Sequence, residues 1–97
     1  MCAATAGGPS VDGIDVTRET VIQGTVVKDG QPVGGAYVRL LDASGEFTAE
    51  VPTSATGQFR FFAAPGTWTV RALAPGARVD RTVVASRGQV AELEITV

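Results

Sequence analysis

The sequence contains no histidine, no asparagine and only one cysteine, Cys2. Histidine is the commonest general base near neutral pH and the commonest metal ligand, so its absence removes both chemistries. Ser-His-Asp and Cys-His arrangements for nucleophilic catalysis are impossible. One cysteine cannot close an internal disulfide, and with no histidine it supplies too few ligands for a transition-metal site. No metal, no cofactor and no catalytic residue are therefore expected. The lone thiol points to a reducing compartment. No apolar run approaches the ~18 residues of a membrane helix. The N-terminus lacks a basic region and an apolar signal core, so Cys2 does not read as a lipoprotein cysteine. The expected location is the cytoplasm.

A strong charge of either sign is also missing. Ten acidic and eight basic residues leave a net charge of −2, which predicts neither a nucleic-acid nor an anionic-membrane partner. Seven of the eight cations are arginine. The planar, bidentate guanidinium keeps local anion recognition open.

What is present is a chain of 97 residues, enough for one core. Residues 1–17 are small and Gly/Ala/Pro/Ser-rich without periodicity, and read as a flexible N-terminal arm. From residue 18 to residue 97 the pattern changes to short β-rich runs separated by turn residues, which predicts one all-β domain. Period-2 alternation marks strands near 20–28, 36–42, 47–51, 58–63, 67–73, 79–85 and 90–97. Asp29-Gly30, Ser44-Gly45, Pro65-Gly66 and Pro75-Gly76 supply turns between them. The expected architecture is a seven-stranded antiparallel β-sandwich. Its inward set is Ile22, Val26, Val38, Leu40, Phe47, Phe59, Phe61, Trp68, Val70, Leu93 and Ile95. The facing of 79–85 is not assigned by the pattern.

Two outward groups stand out as candidate sites. Arg39, Arg60 and Arg71 alternate outward on three strands and would form an anion contact if those strands neighbour one another, with Glu50 interleaved. The competing reading is a solvated face with weak cross-strand ion pairs. Tyr37, Leu41, Phe62 and Leu73 are apolar at outward positions, a candidate interface for a partner protein or for a homo-oligomer. Scattered exposed apolar residues are the ordinary alternative.

The strings IQGTVVKDGQPVGGAYVRLLD and TGQFRFFAAPGTWTVRALAPG resemble the carboxypeptidase regulatory-like domains of the transthyretin-like superfamily. The shared features are the strand Ile22–Val26, the Asp29-Gly30 turn, and the segments 32–38, 57–61 and 65–70. That resemblance implies the sandwich fold and says little of function. Relatives with histidine-dependent hydrolase or iron dioxygenase activity use residues this chain lacks, since it has no histidine and a single tyrosine.

The Met-Cys start and the stretch YVRLLDASGEFTAEVPTSATGQFRFFAAPGTWTVRAL also resemble the SseC-like actinobacterial family of unknown function. Members of that family are typically encoded beside a thiosulfate sulfurtransferase. The resemblance implies a non-enzymatic accessory module linked to sulfur metabolism, with the sulfurtransferase as partner. Cys2 would be its sulfur handle, against the plain alternative of a chance thiol in a tail. A structural, self-associating domain is the second reading. A small-ligand or carbohydrate-binding module is the third, and it lacks an exposed ring platform if Trp68 is buried.

Overall fold

The computed structural model describes residues 4–6 and 20–97. Nine strands are found among them: β1 (Ala4–Ala6), β2 (Val21–Lys28), β3 (Gln31–Pro32), β4 (Tyr37–Leu41), β5 (Phe47–Pro52), β6 (Gln58–Ala63), β7 (Gly66–Ala74), β8 (Ala77–Ala85) and β9 (Val90–Thr96). The seven runs expected from the alternation are β2 and β4–β9. The additions are the short β3, and β1, which lies within residues 1–17 and pairs along β6.

The strands form two sheets. In the first, β6 lies between β1 and β2, while β3 and β9 both pair with β2. The second has the order β5-β4-β7-β8. The expected sandwich is the observed one, with one pair departing from antiparallel order: β9 runs parallel to β2, from Val21 opposite Val90 to Val27 opposite Thr96. The last turn explains this. It carries the chain from β8, at the edge of the second sheet, across to the first sheet, where β9 takes the direction of β2 rather than folding back on β8.

Turn chemistry sets the hairpins. Asp29 and Gly30 both have positive φ, 52° and 77°, the two-residue turn whose twist matches the flanking strands. The links between sheets need a different device, because their backbone groups leave the ladders. Thr53 supplies one. Its buried hydroxyl donates to the Val33 carbonyl at 2.6 Å and accepts from the Ala36 N–H at 2.9 Å. One side chain thereby ties the link between β3 and β4 to the end of β5.

The core between the sheets holds Ile22, Val26, Val38, Leu40, Val51, Phe59, Phe61, Trp68, Val70 and Ile95. The rings of Phe59 and Phe61 lie 6.1 Å apart and tilted by 54°. The Trp68 indole N–H donates to the Ala64 carbonyl at 2.9 Å, so the ring is buried without an orphan donor. β8 joins the core through Val83 and Ala85. Leu93 packs against the core while partly exposed.

Phe47 corrects the expected inward set. The pairing of β4 with β5 shifts between Leu40 and Leu41: Leu40 lies opposite Ala49, but Leu41 lies opposite Phe47. A bulge of this kind inserts one residue and reverses the facing beyond it. Phe47 therefore points outward and is 61% exposed.

Candidate functional site

The two outer faces of the sandwich are built differently. On the second sheet, the register aligns Glu50, Arg39, Arg71 and Asp80 in one row across all four strands. Arg39 Nε donates to Glu50 Oε2 at 2.6 Å. Arg71 grips Asp80 with two bonds, Nε to Oδ1 at 2.9 Å and Nη2 to Oδ2 at 3.1 Å. The two central guanidiniums are thus neutralised within the chain, and the row carries no net charge.

The three arginines of the candidate anion contact do not share a stripe. Arg39 and Arg71 are opposite one another on β4 and β7. Arg60 lies on β6, in the other sheet, and is 2% exposed. Its outward position was legible, but its burial was not. The run Phe59-Arg60-Phe61-Phe62 was the available signal, since apolar neighbours on both faces suit a strand covered on both sides. Burial pushes the Arg60 guanidinium below its ordinary value.

The candidate interface residues also divide. Tyr37 and Leu73 are cross-strand neighbours on the outer face of the second sheet. Leu41 shares that face but is buried at 6% exposure, and Phe62 belongs to the first sheet. The structure adds two residues the alternation missed, Phe47 through the bulge and Val84 through the unassigned facing of β8. Among the described residues the large exposed apolar side chains are Tyr37, Phe47 and Val84, and all three lie on this one face.

On the first sheet's outer face the row Phe62-Val21-Val90 is apolar, and the two rows beyond it, Arg60-Gln23-Glu92 and Gln58-Thr25-Glu94, are polar. Arg60 Nε donates to Gln23 Oε1 at 3.0 Å, and Gln23 Nε2 donates to Glu92 Oε1 at 3.0 Å. This chain of bonds crosses β6, β2 and β9 and borders a cleft of about 230 Å³. Cys2 lies outside the described residues. Among those described, no group of three or more metal-ligating side chains converges.

Electrostatics make one measurable statement about this molecule. The Arg71 hydrogen bond, and then its charge, hold the Asp80 carboxyl below 3.8. Asp42 is lowered as well, chiefly by the Ser44 hydroxyl and then by the Glu46 N–H. A folded pKa below the unfolded one adds stability at higher pH and loses it as pH falls through the folded value. The urea midpoint is therefore expected to stay level above about pH 5 and to fall below about pH 4. Asp80→Asn should shallow that acid slope in an unfolding series against pH.

These features define a β-sandwich domain whose second sheet presents exposed Tyr37, Phe47 and Val84 beside an internally paired charge row, and whose first sheet bears a polar cleft. By sequence, the chain belongs to the family described as "Protein of unknown function (DUF1416)", which matches residues 2–97. It is 58% identical to an uncharacterized protein of Mycolicibacterium smegmatis over 86 residues, covering 88% of this chain and 96% of that one. An uncharacterized protein of Mycobacterium tuberculosis, Rv0814c, is 52% identical over 99 residues, covering 100% of this chain and 99% of the relative. In fold, the chain is similar to a DUF3823 family protein from Parabacteroides merdae, with TM-score 0.65 and 15% identity over 82% of this chain and 46% of that protein. The dioxygenase domain of a dioxygenase carbohydrate-binding protein fusion from Streptomyces sp. SirexAA-E gives TM-score 0.65 and 13% identity, over 90% and 84% of the two chains. The major pilin subunit BcpA of Bacillus cereus gives TM-score 0.62 and 15% identity, over 81% and 28%. At such identities the likeness is one of fold.

Proposed function

We propose that the protein is a non-enzymatic accessory module that docks a partner protein on the outer face of its second sheet. The supporting observation is that Tyr37, Phe47 and Val84, on three different strands, are all exposed on that face. Exposed Pro52 and half-buried Leu73 flank Tyr37 in the same row. Exposed aromatic residues on either side of internally paired charges suit a protein interface better than a solvated sheet. The lack of histidine in the sequence argues in the same direction, against base catalysis.

The charge row disfavours a second copy docked on a two-fold axis through its centre. Consider a two-fold axis lying in the face and passing through the centre of the row. Parallel to the strands, it sets Glu50 over the mate's Asp80 and Arg39 over the mate's Arg71. Along the row, it sets each charge over its own copy. Both arrangements place like charges together, which selects against that pairing.

The resemblance to the SseC-like family supplies the partner to try first, a thiosulfate sulfurtransferase. On this reading Cys2 is the sulfur handle. Its thiolate attacks the outer sulfur of the partner's persulfide, forming a new S–S bond and releasing the partner's thiolate. The sulfur link is carried by the resemblance alone, and the docking face by the geometry.

Affinity capture tests both. The wild-type protein should be a monomer by light scattering and should retain the sulfurtransferase of the same organism. Tyr37→Asp with Phe47→Asp should weaken retention by about tenfold or more while leaving the circular dichroism unchanged. Mass spectrometry after thiosulfate turnover should find one added sulfur on Cys2. No retention and an unmodified Cys2 would sink the sulfur-linked accessory reading. Self-association abolished by the same double variant would replace it with the structural one.

A further inference from the structure

The cleft on the opposite face is not used by the docking reading. The register puts Gln23 between Arg60 and Glu92, and Thr25 between Gln58 and Glu94, on neighbouring strands β6, β2 and β9. Gln23, Thr25, Gln58 and Glu92 line the cleft, with Gly24 in its middle strand.

The bonds already made fix what remains to be offered. Gln23 is held at both ends, by Arg60 and by Glu92. Gln58 Oε1 accepts from the Thr56 hydroxyl at 3.2 Å, which leaves its amide N–H₂ as the available group. The Glu92 bond uses Oε1, so Oε2 stays open as an acceptor. Thr25 adds a hydroxyl with no side-chain bond among the described residues. The cleft therefore presents one carboxylate oxygen, one amide donor and one hydroxyl. They are placed by side chains that are themselves tied to a buried guanidinium.

The accessible charge here is negative. Glu92 and Glu94 are both exposed, and neither forms an ion pair among the described residues. Arg60 stands beside Gln23 in the same row, is 2% exposed and is bonded to Gln23 Oε1, so its guanidinium is not part of the accessible surface. A volume of about 230 Å³ lies below the range of pockets for drug-sized ligands, roughly 300–1,000 Å³, and so limits the occupant to a small molecule.

We propose that this cleft binds a small polar organic cation, an ammonium or guanidinium compound that carries a further hydrogen-bonding group. The cation donates to Glu92 Oε2, a charge-assisted bond of the strong class. Gln58 and Thr25 take the polar remainder. Arg60 is a positioning residue: its bond to Gln23 orients the amide that in turn orients Glu92. With one strong and two ordinary hydrogen bonds in a partly open site, the dissociation constant should be on the order of 1 mM.

Amide NMR titration with agmatine and with ethanolamine tests this, and ethylene glycol is the neutral control of nearly the same shape as ethanolamine. Saturable shifts are expected at Gln23, Thr25, Gln58 and Glu92 with the two cations and not with the diol. Glu92→Gln keeps the side-chain shape and an acceptor for the Gln23 amide, and should weaken agmatine at least about tenfold. Phe47→Asp, on the opposite face, should leave agmatine binding unchanged whatever it does to partner capture. Absence of saturable shifts with either cation up to about 20 mM would overturn the site. An equal response to ethylene glycol, or unchanged affinity in Glu92→Gln, would overturn its cationic character.

Discussion

Phe61→Ala is expected to lower the stability of the sandwich by about 3–5 kcal/mol, while Phe47→Ala should cost less than about 0.5 kcal/mol. Phe61 is fully buried between the sheets and packs beside Phe59. Truncating it removes a whole ring from water-excluded contact and leaves a cavity that two hydrogen-bonded sheets cannot collapse to fill. Phe47 has the same side chain, but 61% of it remains exposed, so its removal uncovers little. Domains of this size are stable by only about 5–15 kcal/mol, so Phe61→Ala should stand close to the unfolding threshold at 37 °C. Urea denaturation of the two variants side by side measures the contrast. Equal losses would mean that the bulge between Leu40 and Leu41 does not turn Phe47 out.

Gly24→Ala should be nearly as damaging, by the opposite mechanism. A methyl group at Gly24 would lie 2.2 Å from the Leu93 carbonyl oxygen and 2.8 Å from the Phe59 ring. Neither neighbour can yield cheaply. The carbonyl belongs to the backbone of β9, which pairs with β2 along seven residue positions, and the ring is in the core. Overpacking of this kind costs about 1–3 kcal/mol or more. The upper end is expected here because a strand must shift, with a fall in Tm of about 15 °C for a domain this small. Hydrogen exchange should quicken first at Leu93, Glu94 and Ile95. Gly30→Ala is the control. Its site is open, but its φ of +77° penalises any side chain, so about 1 kcal/mol is expected from backbone strain alone. A Gly24→Ala variant as stable as Gly30→Ala would show that β9 does not approach β2 so closely.

The alternation of side chains was enough to locate the strands, because a strand buried on one face repeats with period two whatever its partners are. It failed where a strand departed from that condition. At Phe47 an inserted residue, Thr48 on β5, reversed the facing, and the local alternation carries no mark of it. At Arg60 the outward residue is buried as well, although Gln58 on the same face of the strand is exposed. In β8 the chain reads Val79-Asp80-Arg81-Thr82-Val83-Val84-Ala85, which carries two phases at once. Pairing with β7 selects the phase that puts Val83 inward and Val84 out.

The candidate site was less legible than the fold for a related reason. A residue's outward facing is a local property, but its neighbours on the face come from strands distant in sequence. Nothing near Arg39 announces that Arg71 lies beside it, nor that Glu50 and Asp80 neutralise the pair. Only the order β5-β4-β7-β8 assembles that row. The same holds for the cleft, where Gln23 meets Glu92 across 69 positions of chain.

By itself, then, the sequence determined the all-β class, the strand positions, most of the core and the absence of histidine chemistry, since each follows from residue type and local spacing. The tertiary structure decided which strands share a sheet, that β9 runs parallel to β2, and which side chains meet on each outer face. Those outcomes depend on pairing between segments far apart in the chain, where the free energy of register and crossover, rather than any local preference, selects the arrangement.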